Sequence, residues 1–272
     1  GTVPQAPAAA AVVGESAERD IRLETAKVIA VFTNRGGRLK SWTLKEFRDG
    51  RGNLLDLVDQ PQTLGAHSLP FSLSVSDADT TAALNSALYT VQQSDADGTP
   101  RVVFEYRNEA GLVARKEFSV SRDSYLVTAN VAVSRDGAAL NPAIVWGPGL
   151  GDTDAQTGRS ATKPEALFAP QGEKPERLTA SNVTETPTYE QPFDYAGIDD
   201  HYFAAFALKP GRVKVAYEPS ELPNPANPKT PLSRMGFSVT PATAGQSLQF
   251  YVGPKSFDEL SAIDPKLVYA IN

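Results

Sequence analysis

The sequence contains no cysteine and only two histidines, His67 and His201, among its 272 residues. Without cysteine the chain cannot form a disulfide, a thiolate zinc site or an iron–sulfur cluster, and it has no cysteine nucleophile. Two histidines also leave no set of three imidazoles for a histidine-rich metal centre. We therefore predict no metal, no cofactor and no catalytic residue that depends on either.

The sequence also lacks long apolar runs and an excess of positive charge. No stretch of about 18 consecutive apolar residues occurs, so no transmembrane helix is predicted within these residues. The N-terminus lacks the basic and then apolar pattern of a signal peptide. The net charge of −6 argues against a broad basic surface, and nucleic acid is not expected as a partner.

Motifs for nucleotide binding and nucleophilic hydrolysis are missing as well. The glycines at 36–37 and around 147–151 lack the spacing and the Lys-Ser/Thr ending of a P-loop. No G-x-S-x-G elbow is found. The Asn-Val-Thr triplet at 182–184 matches a glycosylation acceptor, but we interpret it as part of a polar loop.

What the sequence does contain is alternation of apolar and polar residues over most of its length. Between Tyr125 and Val133 every second residue is apolar, which is typical of a half-buried strand. Turn sequences rich in Gly, Asn and Asp occur at 34–37, 49–52, 95–98 and 108–111. Short strands at this spacing predict a mainly β fold built as an antiparallel sandwich, because each sheet must cover its apolar face.

Three regions depart from this pattern, and the third is the C-terminal helix described in the next paragraph. Residues 1–19 are dominated by Ala, Pro and Gly and predict a flexible or extended linker. The region 147–195 is rich in Gly, Pro, Asp and Thr and predicts long loops with a few short strands. We therefore divide the chain into a linker at 1–19, a sandwich domain at 20–253 and a C-terminal helix with its connection at 254–272.

The C-terminal region carries the clearest helix signal. The sequence Ser-Phe-Asp-Glu at 256–259 fits a capping box, in which the Glu side chain returns to the amide of the capping Ser. Phe257, Leu260 and Ile263 lie three residues apart, and Pro265 ends the helix. Because so short a helix is marginal alone, we expect these three apolar residues to pack on the sandwich.

One polar cluster is a candidate for chemistry. Asp199, Asp200 and His201 could form an acid–base or metal site, since carboxylates beside an imidazole tune its pKa. The same residues also fit a turn that ends before a strand. In that case alternation places Asp199 and His201 on one face and Asp200 on the other.

Other candidates are weaker. Asp152 and Asp154 could hold Ca²⁺ in a loop, although the EF-hand spacing is absent. His67 is expected to be exposed to solvent. Trp42 and Trp146 either pack in the core or line a ligand groove, and burial is favoured more strongly for Trp42.

Three stretches resemble the large periplasmic domain of the YidC/Oxa family of membrane protein insertases. They are VFTNRGGRLKSWTLKEF at 31–47, GIDDHYFAAFAL at 197–208 and FYVGPKSFDELSAIDPKL at 250–267. In order and spacing these stretches span nearly all of residues 20–272. The region 147–195 shows no such resemblance.

The resemblance implies a twisted β-supersandwich with a short C-terminal helix, similar to sugar-binding and aldose-epimerase sandwiches. It also implies a position on the periplasmic face of the bacterial inner membrane, with an anchor before Gly1 and a transmembrane core after the C-terminus. The intact protein would act as an insertase and chaperone for nascent membrane proteins, alone or with the Sec translocon. We expect this domain to be non-catalytic and monomeric.

Alternatives stay open. A carbohydrate-binding or mutarotase-like protein would use the same sandwich, with His67, His201 or Glu105 as possible acid and base. An adhesion or scaffold module would leave the three matching stretches unexplained. Within the insertase interpretation, either the C-terminal helix fixes the orientation of the domain over the membrane core, or a sheet edge or loop binds a Sec-associated partner.

Overall fold

The computed structural model describes residues 8–61, 67–153, 161–185 and 187–271. These residues form eighteen strands, three α-helices and one 3₁₀ helix. The strands are β1 Ala11–Val13, β2 Asp20–Glu24, β3 Val28–Thr33, β4 Arg38–Arg48, β5 Leu54–Asp56, β6 Ser72–Ser74, β7 Thr90–Ala96, β8 Thr99–Asn108, β9 Leu112–Val120, β10 Leu126–Arg135, β11 Ala138–Leu140, β12 Ala143–Trp146, β13 Glu165–Pro170, β14 Glu176–Leu178, β15 Thr188–Asp199, β16 Phe203–Leu222, β17 Leu232–Pro241 and β18 Leu248–Pro254. The helices are α1 Ala78–Ser86, α2 Ala180–Glu185 and α3 Phe257–Ile263, and the 3₁₀ helix is Pro265–Ile271.

The strands of the described chain lie in two antiparallel sheets. The larger sheet has the order β1-β8-β9-β10-β18-β16-β15-β13-β14, with β7 beside β8 and β11 beside β10. A branch from β16 continues through β17 and β12 to β6, and the smaller sheet has the order β2-β3-β4-β5. The predicted mainly β class with antiparallel sheets and a short C-terminal helix is confirmed.

The two sheets face each other across an aromatic core. The ring of Phe32 in β3 lies 4.8 Å from that of Phe118 in β9, centre to centre. Trp42 in β4 is fully buried and donates its indole N–H to the carbonyl of Val252 in β18, at 2.8 Å. Alternate residues of β9 are buried, as expected for a strand with one face on the core.

The buried face of β9 carries a lysine in one of its apolar positions. Lys116 is fully buried, and its Nζ donates to the carbonyls of Gly36, Gly37 and Phe71 at 2.8, 3.2 and 2.6 Å. Burial lowers the pKa of Lys116 well below its ordinary value. The three bonds join the larger sheet to the turn between β3 and β4 and to the residue before β6.

The two glycines of this turn are required by the close approach. Gly36 and Gly37 have φ angles of 78° and 57°, in the left-handed region. A Cβ atom on Gly36 would lie 2.5 Å from the carbonyl oxygen of Asn85, and one on Gly37 would lie 3.1 Å from the Lys116 side chain. Close packing and positive φ angles therefore explain why the first matching stretch has glycine at both positions.

Helix α1 runs along the free edge of strand β6. The side-chain amide of Asn85 accepts from the Leu73 N–H and donates to the Leu73 carbonyl, both at 2.8 Å. One turn earlier, the Thr81 hydroxyl accepts from the Val75 N–H and donates to the Val75 carbonyl, both at 3.0 Å. Two side chains thus occupy the backbone groups that a neighbouring strand would bind.

The structure changes two expectations from the sequence. Residues 11–13 of the expected linker form β1, which pairs with β8, because any extended backbone can hydrogen-bond to a sheet edge. The region 147–195 contains helix α2 and the long strand β15 in place of mainly loops. Strand β16 extends from Phe203 to Leu222, and Lys209 and Gly211 have positive φ angles where its register with β15 shifts.

Among the described residues, the helices are all too short and too polar to cross a bilayer.

Replacing Lys116 with methionine keeps an unbranched apolar side chain that is one atom shorter and removes the three hydrogen bonds of the Nζ group. Three buried carbonyls would then lack a partner, so we expect the free energy of unfolding to fall by about 3 kcal/mol. Urea unfolding followed by circular dichroism measures this change. Lys214→Met, at an exposed position of β16, is the matched control, and a Lys116→Met protein as stable as that control would contradict the structural role of the ammonium.

Candidate functional site at the C-terminal helix

Helix α3 begins and ends where the sequence predicts. Ser256 is the N-cap, with extended backbone, and its hydroxyl accepts from the Glu259 N–H at 3.5 Å. The helix ends at Ile263, and Asp264 has φ −157°, since the residue before Pro265 avoids helical geometry. The predicted Ser cap and proline stop are therefore confirmed.

The side chain of Glu259 does not complete the predicted capping box. Its Oε1 accepts from the Lys27 ammonium at 2.5 Å. The hydrogen bond to Glu259 raises the pKa of Lys27. Lys27 connects β2 to β3, and its ammonium lies 5.1 Å from the centre of the Tyr125 ring, next to β10. The Lys27–Glu259 ion pair thus joins α3 to the smaller sheet, and it lies close to Tyr125, which immediately precedes β10 of the larger sheet.

The three apolar residues of α3 differ in burial. Leu260 is fully buried and Ile263 is half-buried, but Phe257 is 61% exposed. The expectation that all three pack on the sandwich is therefore wrong for Phe257. Residues three apart are offset by about 60° around a helix, so Phe257 and Ile263 diverge to either side of the central Leu260.

Asp199, at the end of β15, is the electrostatic centre of this region. Its side chain is 1% exposed and accepts from Arg177 Nη1 at 2.5 Å and from Lys255 Nζ at 3.0 Å. Arg177 also donates to the carbonyl of Ala270 in the 3₁₀ helix, at 3.3 Å. A single carboxylate thereby links β14, the residue after β18 and, through Arg177, the C-terminal segment. We call Asp199, Arg177, Lys255 and Ala270 the Asp199 network.

The neighbours of Asp199 in the sequence have separate roles. Asp200 accepts from the amides of Tyr202 and Phe203, at 2.9 and 2.8 Å, and closes the turn before β16. Burial raises the pKa of Asp200 to about 6. His201 is exposed, with its ring 4.3 Å from that of Tyr202. The structure thus divides the Asp-Asp-His cluster between an ion-pair centre, a turn cap and a solvent-facing ring, and brings no acid–base pair together.

The other residues singled out in the sequence are dispersed. Trp42 and Trp146 are both buried, as favoured, and Trp146 donates to the Gly149 carbonyl at 3.2 Å. His67 is exposed as expected, whereas Asp152 is buried. Asp154 lies outside the described residues. The triplet at 182–184 belongs to helix α2 and not to a loop.

Among the described residues, no group of three or more His, Cys, Asp or Glu side chains is arranged to hold a metal ion. The calcium interpretation of the loop near Asp152 therefore gains no support from that part of the chain.

A second feature, which the sequence did not indicate, is a trough of about 590 Å³ on one face of the larger sheet. Its floor crosses four strands, where Ser72, Val145, Ser238 and Ala216 lie directly opposite one another. The small side chains of Ser72, Ser238 and Ala216 leave the space open. The residues of the trough floor come from strands far apart in the sequence, so no local sequence pattern predicts the trough.

His67 and Glu218 lie at the border of this trough. The two other residues considered for a mutarotase-like site do not, because His201 lies in the turn before β16 and Glu105 faces Arg115 on β9, at 3.6 Å. Of the acid–base candidates named from the sequence, the structure thus places only His67 at the trough.

Comparison with known families gives a match over nearly the whole chain. The model for the YidC periplasmic domain matches residues 20–272. A membrane protein insertase YidC from Pelobacter propionicus is 28% identical over 282 residues, covering 96% of this chain and 49% of the relative. The YidC of Endomicrobium trichonymphae is 26% identical over 259 residues, covering 91% of this chain and 43% of the relative. The chain therefore spans about half the length of these curated relatives.

Solved structures show where the fold recurs. The galactose 1-epimerase of Lactobacillus acidophilus superimposes with a TM-score of 0.51 at 10% identity, covering 91% of this chain and 99% of the epimerase. The structure of HI1317 gives a TM-score of 0.51 at 12% identity, covering 86% of this chain and 91% of the other. At such low identity the likeness is one of fold alone.

Truncation of the buried and the exposed residue of α3 should separate their roles. Leu260→Ala removes a fully buried side chain, so we expect a loss of about 2–5 kcal/mol in the free energy of unfolding. Phe257→Ala, the matched control, should change it by about 0.5 kcal/mol or less, because the ring faces solvent. Thermal and urea unfolding measure both. Equal losses from the two variants would show that the helix packs differently.

Proposed function

The chain belongs to the family of YidC periplasmic domains, and on that premise we propose that it works as the non-catalytic periplasmic module of a bacterial membrane protein insertase. The match over residues 20–272 carries this proposal, and the insertase name of the relatives supports it. About half the length of those relatives lies outside the matched part. That remainder would contain the segments that insert and fold nascent membrane proteins.

The proposal extends to location and partners. The domain would stand on the periplasmic face of the inner membrane, as a monomer, between a linker at 1–19 and a connection at 254–272. Its intact protein would assist nascent membrane proteins as insertase and chaperone, alone or with the Sec translocon. Photocrosslinking from exposed sheet edges and loops in cells tests the Sec partnership, and failure to capture any Sec component from any of them would count against it.

Within this protein, the junction between α3 and the sandwich would set the orientation of the domain over the membrane core. Buried Leu260, the Lys27–Glu259 ion pair and the Asp199 network all act on the segment after β18. Contacts from both sheets would hold the segment after β18 rigidly against the sandwich. A force applied at the end of this segment would then move the whole sandwich as one body.

Asp199→Asn in the full-length protein tests the orientation role. The change leaves Arg177 and Lys255 without their shared charge, so the domain should lose on the order of 3 kcal/mol in stability. We expect less insertion of a membrane protein client, measured as its protease protection in cells that depend on the variant. The matched control is Asp20→Asn, which removes an exposed ion pair with Lys40 in the smaller sheet, away from the junction.

The outcome that contradicts the role is normal insertion by an Asp199→Asn protein whose domain is demonstrably loosened. The junction would then be structural only. A loss of insertion by both Asp variants would point to the surface charge of the domain and not to the network.

A carbohydrate-binding or mutarotase-like activity is the second candidate. It is favoured by the trough, which has His67 and Glu218 at its border, and by the epimerase-like fold. Polarimetry of fresh α-glucose and α-galactose with the purified chain tests it. Anomerisation that is faster than the buffer rate and is lost in Glu218→Gln would support the mutarotase-like activity, and the buffer rate alone would rule that activity out.

A further inference from the structure

Most of the large apolar side chains exposed in the described residues lie at one end of the molecule. Tyr202 is 55% exposed, Phe257 61%, Tyr269 60% and Ile271 37%. We call these four residues the apolar end. Soluble surfaces carry single apolar residues everywhere, but a group of three aromatic rings at one place is typical of an interaction surface.

The Asp199 network brings the four residues together. Tyr202 follows Asp199 by three residues, and its carbonyl accepts from the Lys255 N–H at 2.7 Å. Phe257 lies two residues beyond Lys255. Tyr269 and Ile271 flank Ala270, whose carbonyl accepts from Arg177. Every member of the apolar end is thus within three residues of a group bound in the network.

The exposed rings stand on well-ordered backbone. The amide of Tyr202 is held by the Asp200 carboxylate, and Phe257 is the first residue of the capped helix α3. Between Tyr269 and Ile271, Ala270 is fully buried. These side chains therefore project from backbone that is hydrogen-bonded or lies next to a buried residue.

From this geometry, and resting on the proposed function, we propose that the apolar end lies in the headgroup region of a phospholipid bilayer. Tyr and Phe are suited to that region, because their rings are apolar and the Tyr hydroxyl remains hydrated. The four residues come from three separate elements, the turn before β16, α3 and the 3₁₀ helix, which suits a broad plane better than a single groove.

The charges near the apolar end define the kind of lipid contact. Asp199 is already paired with Arg177 and Lys255, and Glu259 is paired with Lys27. The exposed Asp258 beside Phe257 and the net charge of −6 repel anionic lipid. Binding must then depend on apolar burial, so it should persist in high salt and need no anionic headgroup.

Phe257→Trp in the 272-residue chain is the direct test. Trp42 and Trp146 are buried, so their emission is a constant background. With vesicles of brominated phosphatidylcholine, we expect the new tryptophan to be quenched and its emission to shift to the blue. The matched control is Val113→Trp, at a position also exposed but about 23 Å away along β9 from the end near α3.

A second pair of variants measures the contribution of the rings. Tyr202→Ser combined with Tyr269→Ser should lower vesicle binding of the Phe257→Trp reporter about tenfold, because apolar area at the interface sets the affinity. Tyr269→Trp is a second reporter that should be quenched like the first. Circular dichroism checks that each variant keeps its fold.

Three results would overturn the inference. The first is tryptophan quenching by brominated lipid that is no greater at position 257 than at position 113. The second is vesicle binding that is lost in high salt. The third is light scattering that shows self-association of the chain in place of vesicle binding. Because the vesicle assay needs no insertion activity, it fails independently of the proposed function. Normal insertion with no vesicle contact removes only this inference, whereas vesicle contact without any insertion activity in the full-length protein removes the insertase role.

Discussion

The arrangement of the two sheets depends on one buried ammonium group. Lys116 directs its three N–H bonds to three backbone carbonyls, two in the turn between β3 and β4 and one just before β6. Apolar contacts alone would allow one sheet to shift slightly against the other. An ammonium inside the core permits no such shift, because it must keep all three carbonyl acceptors at once. The turn can approach only because Gly36 and Gly37 have no side chains. Position 116 thus fixes the smaller sheet, the start of β6 and the place of α1 together.

Much of this architecture can be predicted from local sequence, and the rest cannot for physical reasons. Alternation such as that between Tyr125 and Val133 identifies strands, and a serine cap with a following proline fixes both ends of α3. A lysine in an alternating strand gives no sign that it points inward, since its acceptors lie 45, 79 and 80 residues earlier in the chain. Helix α1 has little amphipathic pattern because two of its polar side chains bind a sheet edge.

The candidate site shows the same division between local and distant information. Asp199 and Asp200 are adjacent acids, and their difference comes from partners elsewhere: two cations surround the first, while two amides of its own turn hold the second. Sequence spacing gave the position and both ends of α3, but it placed Phe257 on the core. The trough was invisible because its small residues are separated by long stretches of chain and meet only through strand register.

The capping of the β6 edge by side chains of α1 affects how this domain can interact with other polypeptides. A free strand edge is a template on which any extended polypeptide can be added, and such addition is the first step of β-aggregation. By filling the backbone groups of Leu73 and Val75 with the amide of Asn85 and the hydroxyl of Thr81, the fold removes this template. If the domain works beside unfinished chains as proposed, those chains would find no strand to pair with at the β6 edge.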